Sequence, residues 1–196
     1  ASRLELLQNE EGLSGAALRS AMHNQQRLPA IANYSEDECD TVIAALKETV
    51  MVPTLRLNSF MLMPPWQRDD WNAALARLPA DVGRAWAAET RIRRSAINGD
   101  ATFADWSLFL TRRMHAAGVP FGAGTDVPIN LSVPGYSLHS ELGMLVRAGL
   151  TPMEALAAAT IEPARYFGLD GEMGEIAVGH AADLVLLEAN PLEDIN

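Results

Sequence analysis

The stretch that most limits what this chain can fold into is Gly118 to Asp126, read from Ala117 as AGVPFGAGTD, an apolar run of strand length that ends on a carboxylate. Alternation along a strand puts Asp126, Gly124 and Gly122 on one face and Val119, Phe121, Ala123 and Thr125 on the other. Small residues on the inner face suit the narrow mouth of a barrel. Pro128 has no N–H and stops a ladder just beyond Asp126. A carboxylate presented at a rigid strand end is a candidate for chemistry, although an Asx turn is the plainer account of GxGTD taken alone. Gly122-Ala123-Gly124 lacks both the GxGxxG spacing and a Walker lysine, which favours a turn over a phosphate cradle.

The flanking sequence alternates helices with strand-length runs. Ser35-Glu36-Asp37-Glu38 reads as a capping box, and Cys39, Val42, Ile43, Leu46 and Val50 follow at helical spacing, so a helix is expected from Ser35 to Glu48 with Cys39 in its core face. Thr49 to Leu55, TVMVPTL, is β-branched and apolar, a strand ending near Thr54 where Pro53 removes a ladder donor. Asn58 to Asn98 is helical and polar in patches and holds Trp66, Trp71 and Trp86. It reads as an inserted cover, its tryptophans either packing a helical hairpin or lining a pocket. Thr102 to Asp105 is a second capping signal, with Trp106, Phe109, Leu110 and Met114 as the apolar face of a helix closed by Gly118. After Asp126 come a helix from Ser137 to Ala148 and a helix opened by Thr151-Pro152-Met153-Glu154. GEIAV and DLVLL then form two strands joined by Gly179-His180-Ala181-Ala182. The order implies parallel strands with crossover helices, an α/β fold.

With 196 residues and 48% hydrophobic content, the chain is a globular sequence able to bury a core. Its net charge of -10 argues against nucleic acid or an anionic membrane as a partner. Cys39 is the single cysteine, so no intrachain disulfide forms. Fourteen of the 15 basic residues are arginine, leaving Lys47 as the lone lysine. His23, His115, His139 and His180 are scattered, with neither a His-x-His pair nor an HExxH. The opening ASRLELLQNEE is neither a signal peptide nor a Met start, and the chain is expected to begin inside a longer protein.

GVPFGAGTD, LHSELGMLVRAGLTPMEALAAATIEPARYFGL and GEIAVGHAADLVLLEANPLEDI together resemble the C-terminal part of a metal-dependent amidohydrolase, of the imidazolonepropionase-like and prolidase-like branch. The likeness is strong from Arg112 to Ile195 and looser from Ser35 to Leu55, where VMVPTL resembles the seventh barrel strand. It implies the C-terminal part of a (β/α)8 barrel, about strands 7 and 8 with their helices, over residues 1–168 with an insertion at 58–98. Residues 169–196 would supply two strands of a small β-sandwich. In that family one or two divalent metals, zinc above all, sit at the barrel mouth. Their ligands are a His-x-His pair after strand one, a lysine or glutamate after strand four, histidines after strands five and six, and an aspartate after strand eight. Of these only the aspartate maps here, as Asp126. The resemblance makes it metal ligand and proton shuttle in a hydrolase acting on a C–N bond of an amide, dipeptide or cyclic amide.

His139, a short loop beyond Asp126, could reach the mouth and contact substrate. His115 is expected at a helix C-terminus, while His23 and His180 are expected at the surface. Glu141 reads as a helix-face charge, Glu154 as a capping residue and Asp183 as a turn residue. The alternative reading is a non-catalytic fragment or association module, since one ligand of about five is present; the chain alone would then be inactive and hold no metal. The unpaired DLVLL strand and the open edges of the barrel strands predict oligomerisation, or pairing with a missing N-terminal segment or another chain.

Overall fold

The computed structural model describes residues 12–96 and 99–196. Readings of residues 1–11, and of Ile97 and Asn98 at the end of the insertion, lie outside the described residues. Contacts divide the chain into two compact units, Ala1–Val42 and Ile43–Asn196. In the first, α1 (Gly15–Ala32) buries Met22 and exposes His23. Helix α2 (Glu36–Ala45) starts as the capping signal predicts, with Ser35 Oγ accepting the Glu38 N–H at 3.4 Å, but stops short of Glu48. Ile43 is its buried residue, whereas Val42 is exposed and Cys39 only half-buried.

In the second unit the two extended segments lie side by side in parallel at Met51 and Phe121. The Met51 N–H donates to the Pro120 carbonyl and the Gly122 N–H to the Met51 carbonyl, both at 2.9 Å. The predicted neighbours are correct, but among the described residues they share one bridge rather than a ladder. Pro53 cannot donate, and Thr54 turns into the left-handed region (φ 50°) to start the short α3 (Leu55–Asn58). Gly122 and Gly124 also make room for the side chain of Val52. A Cβ on Gly124 would stand 2.5 Å from Val52 Cγ1, so the glycine admits the Val52 side chain of the neighbouring segment.

Val119 and Phe121 are buried, as the alternation requires. Helix α7 (Tyr136–Ala148) packs on α3, on α6 (Thr102–Ala116) and on α8 (Pro152–Ala159), and α8 packs on α9 (Ile161–Phe167). Leu55, Leu145, Ala148 and Ala155 are fully enclosed, and burying one leucine contributes about 1.5–3 kcal/mol. Thr102 is the first residue of α6 rather than its cap; Asp100 Oδ1 accepts the Thr102 N–H at 3.0 Å. The buried face of α6 is Ala104, Leu108 and Thr111, with Trp106, Phe109, Leu110 and Met114 half-buried beside it. The α8 box forms in full: the Glu154 N–H donates to Thr151 Oγ1, and the Thr151 N–H donates to Glu154 Oε2 at 2.7 Å.

The Trp-rich stretch folds as a 3-10 turn, Pro65–Gln67, then α4 (Trp71–Ala76) and α5 (Ala80–Ala96). Trp71, Ala74 and Leu75 pack with Leu131 and Val133, and Trp66 and Trp86 lie against that cluster. Of the two readings of the tryptophans, packing describes this cluster.

The tail differs from expectation. No strand forms in 169–196, and Ile176, Val178, Val185 and Leu186 are 90%, 106%, 81% and 98% exposed. A lone pair of strands is marginal without a third, and the described residues supply none. Where the chain does meet its own body, Ile195 is buried and Asn196 lies against Gly143 of α7.

Candidate functional site around Asp126

Asp126 follows the extended segment and is itself in the left-handed region (φ 52°), so strand alternation ends one residue before it. It is exposed. A cis Val127–Pro128 bond comes next, then a turn in which the Ile129 N–H donates to the Asp126 carbonyl at 2.9 Å. Asn130 and Leu131 also have positive φ. Aspartate and asparagine tolerate that conformation, whereas leucine adopts it at a cost. Burial of Leu131 against Trp71 offsets that cost.

Arg56 holds this loop. Its Nη1 donates to the carbonyls of Ile129 (2.9 Å) and Thr125 (3.4 Å), and its Nη2 donates to that of Asn130 (2.7 Å). The residue is 5% exposed. Burial pulls its guanidinium below the ordinary value, while the charges of Glu141 and Asp126 pull it back up. The side chain of Asn130 accepts from Arg93 Nη1 of α5 at 2.7 Å, and Arg93 is itself paired with Glu89. Ser132 Oγ donates to the Thr125 carbonyl at 3.3 Å.

Glu141 stands behind Arg56, fully enclosed. Its Oε1 accepts the Leu55 N–H at 2.9 Å and its Oε2 accepts the Arg56 N–H at 2.6 Å, capping α3 from another helix. Burial pushes this carboxyl up to about 7, against the two N–H donors and the Arg56 charge that pull it down. The reading of Glu141 as a surface charge is therefore corrected. A signal was available: Ser137, Glu141, Met144, Leu145 and Ala148 fall on one helical stripe, and a carboxylate on a buried stripe requires partners. Arg56, Asn130 and Arg93 carried no such signal, because they act through loop carbonyls and side chains remote in sequence.

The other expected residues are dispersed. His139 is exposed on α7 and makes no hydrogen bond among the described residues, so the structure does not join it to Asp126. His115 lies in the last turn of α6 as expected, with Nε2 at 3.3 Å from Glu154 Oε1. His180 sits in a turn but is half-buried, with Nδ1 enclosed and unpartnered among the described residues. Asp183 is exposed in the extended tail. Among the described residues no group of three or more His, Cys, Asp or Glu side chains could hold a metal ion. Beyond the loop, Tyr136 donates to Asp70 Oδ1 at 2.6 Å and accepts from Arg68 Nε at 3.1 Å. Burial, then the bond to Asp70, push its hydroxyl up to about 12.

A model of the amidohydrolase family matches residues 109–196. An imidazolonepropionase from Rubrobacter xylanophilus is 44% identical over 61 residues, covering 29% of this chain and 15% of that protein. An ochratoxinase from Aspergillus niger is 41% identical over 81 residues, 40% of this chain and 16% of that protein. The crystal structure of a Xaa-Pro dipeptidase with methionine in its active site superposes with a TM-score of 0.53 at 24% identity, over 82% of this chain and 33% of that one. The chain thus spans about a sixth of the curated relatives and a third of the solved structure. The motifs read from the sequence and the family match coincide on the same segment, and over residues 109–196 this chain is similar to the amidohydrolase family.

Proposed function

We propose that the chain is the C-terminal portion of a hydrolase acting on a C–N bond of an amide, dipeptide or cyclic amide, with Asp126 as its site carboxylate. The observation that carries this reading is the placement of Asp126: an exposed carboxylate at the end of an extended segment, on a loop fixed by buried arginine contacts, within the family-matching residues. Residues 1–168 would form part of a (β/α)8 barrel, with 58–98 as an insertion, and 169–196 would join a small sheet.

An oxygen donor such as Asp126 fits one position of a divalent metal's ligand set, zinc among them. The chain's own described residues do not complete such a set. The remaining ligands would come from an upstream segment or another chain. A metal, when bound, supplies hydroxide near neutral pH. Asp126 itself can take a proton from water and return it to a leaving nitrogen, general acid–base work for an exposed carboxylate. His139, exposed on the helix after the loop, is the candidate substrate contact. The bare apolar tail supports a covering partner, because Val178 and Leu186 have none here.

The test is metal analysis and an amidase and dipeptidase panel on the full-length protein, beside the 196-residue chain. Expected are bound divalent metal and C–N hydrolysis in the full-length protein alone. A full-length protein with neither would overturn the reading.

A further inference from the structure

We propose that Arg56 is the positioning residue for Asp126, and that Glu141 in turn fixes Arg56. This inference rests on the reading of Asp126 as the site carboxylate. The guanidinium reaches carbonyls on both sides of Asp126: Thr125 before it, Ile129 and Asn130 after it. A planar fork with several donors in fixed directions can brace such a loop, whereas one ammonium cannot make the same set of contacts at once. Arg56 is rigid because its own backbone N–H and that of Leu55 end on the enclosed Glu141 carboxylate. The two segments that bridge at Met51 and Phe121 are thereby tied again just past their ends, one residue from the carboxylate that does the chemistry. Asn130, held from its other side by Arg93 of α5, extends the brace to the Trp-rich insertion.

The loop has a reason to need bracing. Asp126, Asn130 and Leu131 all have positive φ, a run that relaxes unless its surroundings enforce it. Arg56 hydrogen-bonds the loop through its carbonyls and meets Asp126 itself only through charge, so substitution should alter where Asp126 sits without removing a hydrogen bond to its carboxylate.

The experiment compares Arg56→Met, Arg56→Lys and Glu141→Gln in the full-length protein, with the exposed Arg165→Met as control. The first readout is hydrogen exchange by mass spectrometry. Exchange over residues 126–132 is expected to rise at least about tenfold in Arg56→Met and by less in Arg56→Lys, while α6 and α8 keep wild-type protection. The second readout is kinetic: kcat falls about tenfold or more in Arg56→Met with KM within about twofold, and Arg56→Lys recovers part of it. Unchanged exchange over 126–132, a uniform rise through all helices, or unfolding of both arginine variants overturns the inference in favour of a general core role. Asp126→Asn judges the underlying reading separately. If it abolishes hydrolysis while Arg56→Met changes neither exchange nor kcat, the brace fails and the site stands. If Asp126→Asn leaves hydrolysis intact, the site reading fails on its own evidence.

Discussion

The Asp126 loop and the C-terminal tail distribute polarity in opposite ways. Behind the loop, two charged side chains are enclosed and both have partners: Glu141 is 0% exposed and accepts two backbone N–H groups, and the Arg56 guanidinium meets three carbonyls. In the tail, apolar side chains that strands would bury stand in solvent, Leu186 at 98%. Burying a charge is costly unless its hydrogen bonds are made, so the loop is a finished piece of structure within this chain. The tail is unfinished. The contrast indicates that the corner holding Asp126 is built by local and helix-to-loop contacts, whereas the tail leaves its apolar side chains uncovered among the described residues.

The contrast can be broken first at the wall of the loop. Trp71→Ala removes the ring on which Leu131 packs and is expected to cost about 3–5 kcal/mol by thermal or urea unfolding. A loss below about 1 kcal/mol would mean the loop does not lean on the insertion. The next effect is a pH dependence. Glu141 is held at about 7 in the folded state and lies near 4.5 when unfolded, so the folded form binds more protons between those values. Its stabilising contribution is therefore full below about 4.5, falls as pH rises to about 7, and then levels, a span on the order of 3 kcal/mol. Glu154, held low chiefly by the Thr151 N–H, acts in the opposite sense and loses its contribution as pH falls below its ordinary range. Comparing wild type with Glu141→Gln isolates the first effect; a Gln variant with the same slope between pH 4.5 and 7 would contradict the assignment.

Smaller effects sharpen the comparison. Tyr136→Phe removes the hydroxyl shared by Asp70 and Arg68 at a partly exposed site, and a loss of about 1 kcal/mol is expected in unfolding. At the tail, Val178→Ser with Leu186→Ser should change unfolding free energy by no more than about 0.5 kcal/mol, because neither side chain is buried. The same pair should reduce concentration-dependent association in sedimentation velocity. Destabilisation by more than about 1 kcal/mol would show that the tail already has a partner.

Local signals are the most legible part of the sequence. The Thr151–Glu154 box follows from capping chemistry, the parallel approach of TVMVPTL and GVPFGAGTD from the alternation of helices with strand-length runs, and the burial of Val119 and Phe121 on the face opposite Gly122 and Gly124 from strand periodicity. The brace was not legible, since Arg56 binds carbonyls some 70 residues away and no periodicity encodes such a contact. Glu141 was legible in principle, as a carboxylate on a buried stripe, but a charged residue on a helix is usually solvated. The tail strands had clear β propensity, yet propensity does not provide the neighbouring strand that would bury them.

The most direct measurement of the role of Asp126 is kcat/KM of the full-length protein with Asp126→Asn, against Asp183→Asn of the tail as control. A fall of about 10²–10⁴-fold in Asp126→Asn, with Tm within a few degrees and Asp183→Asn near wild type, is predicted. Equal hydrolysis by wild type and Asp126→Asn would contradict it.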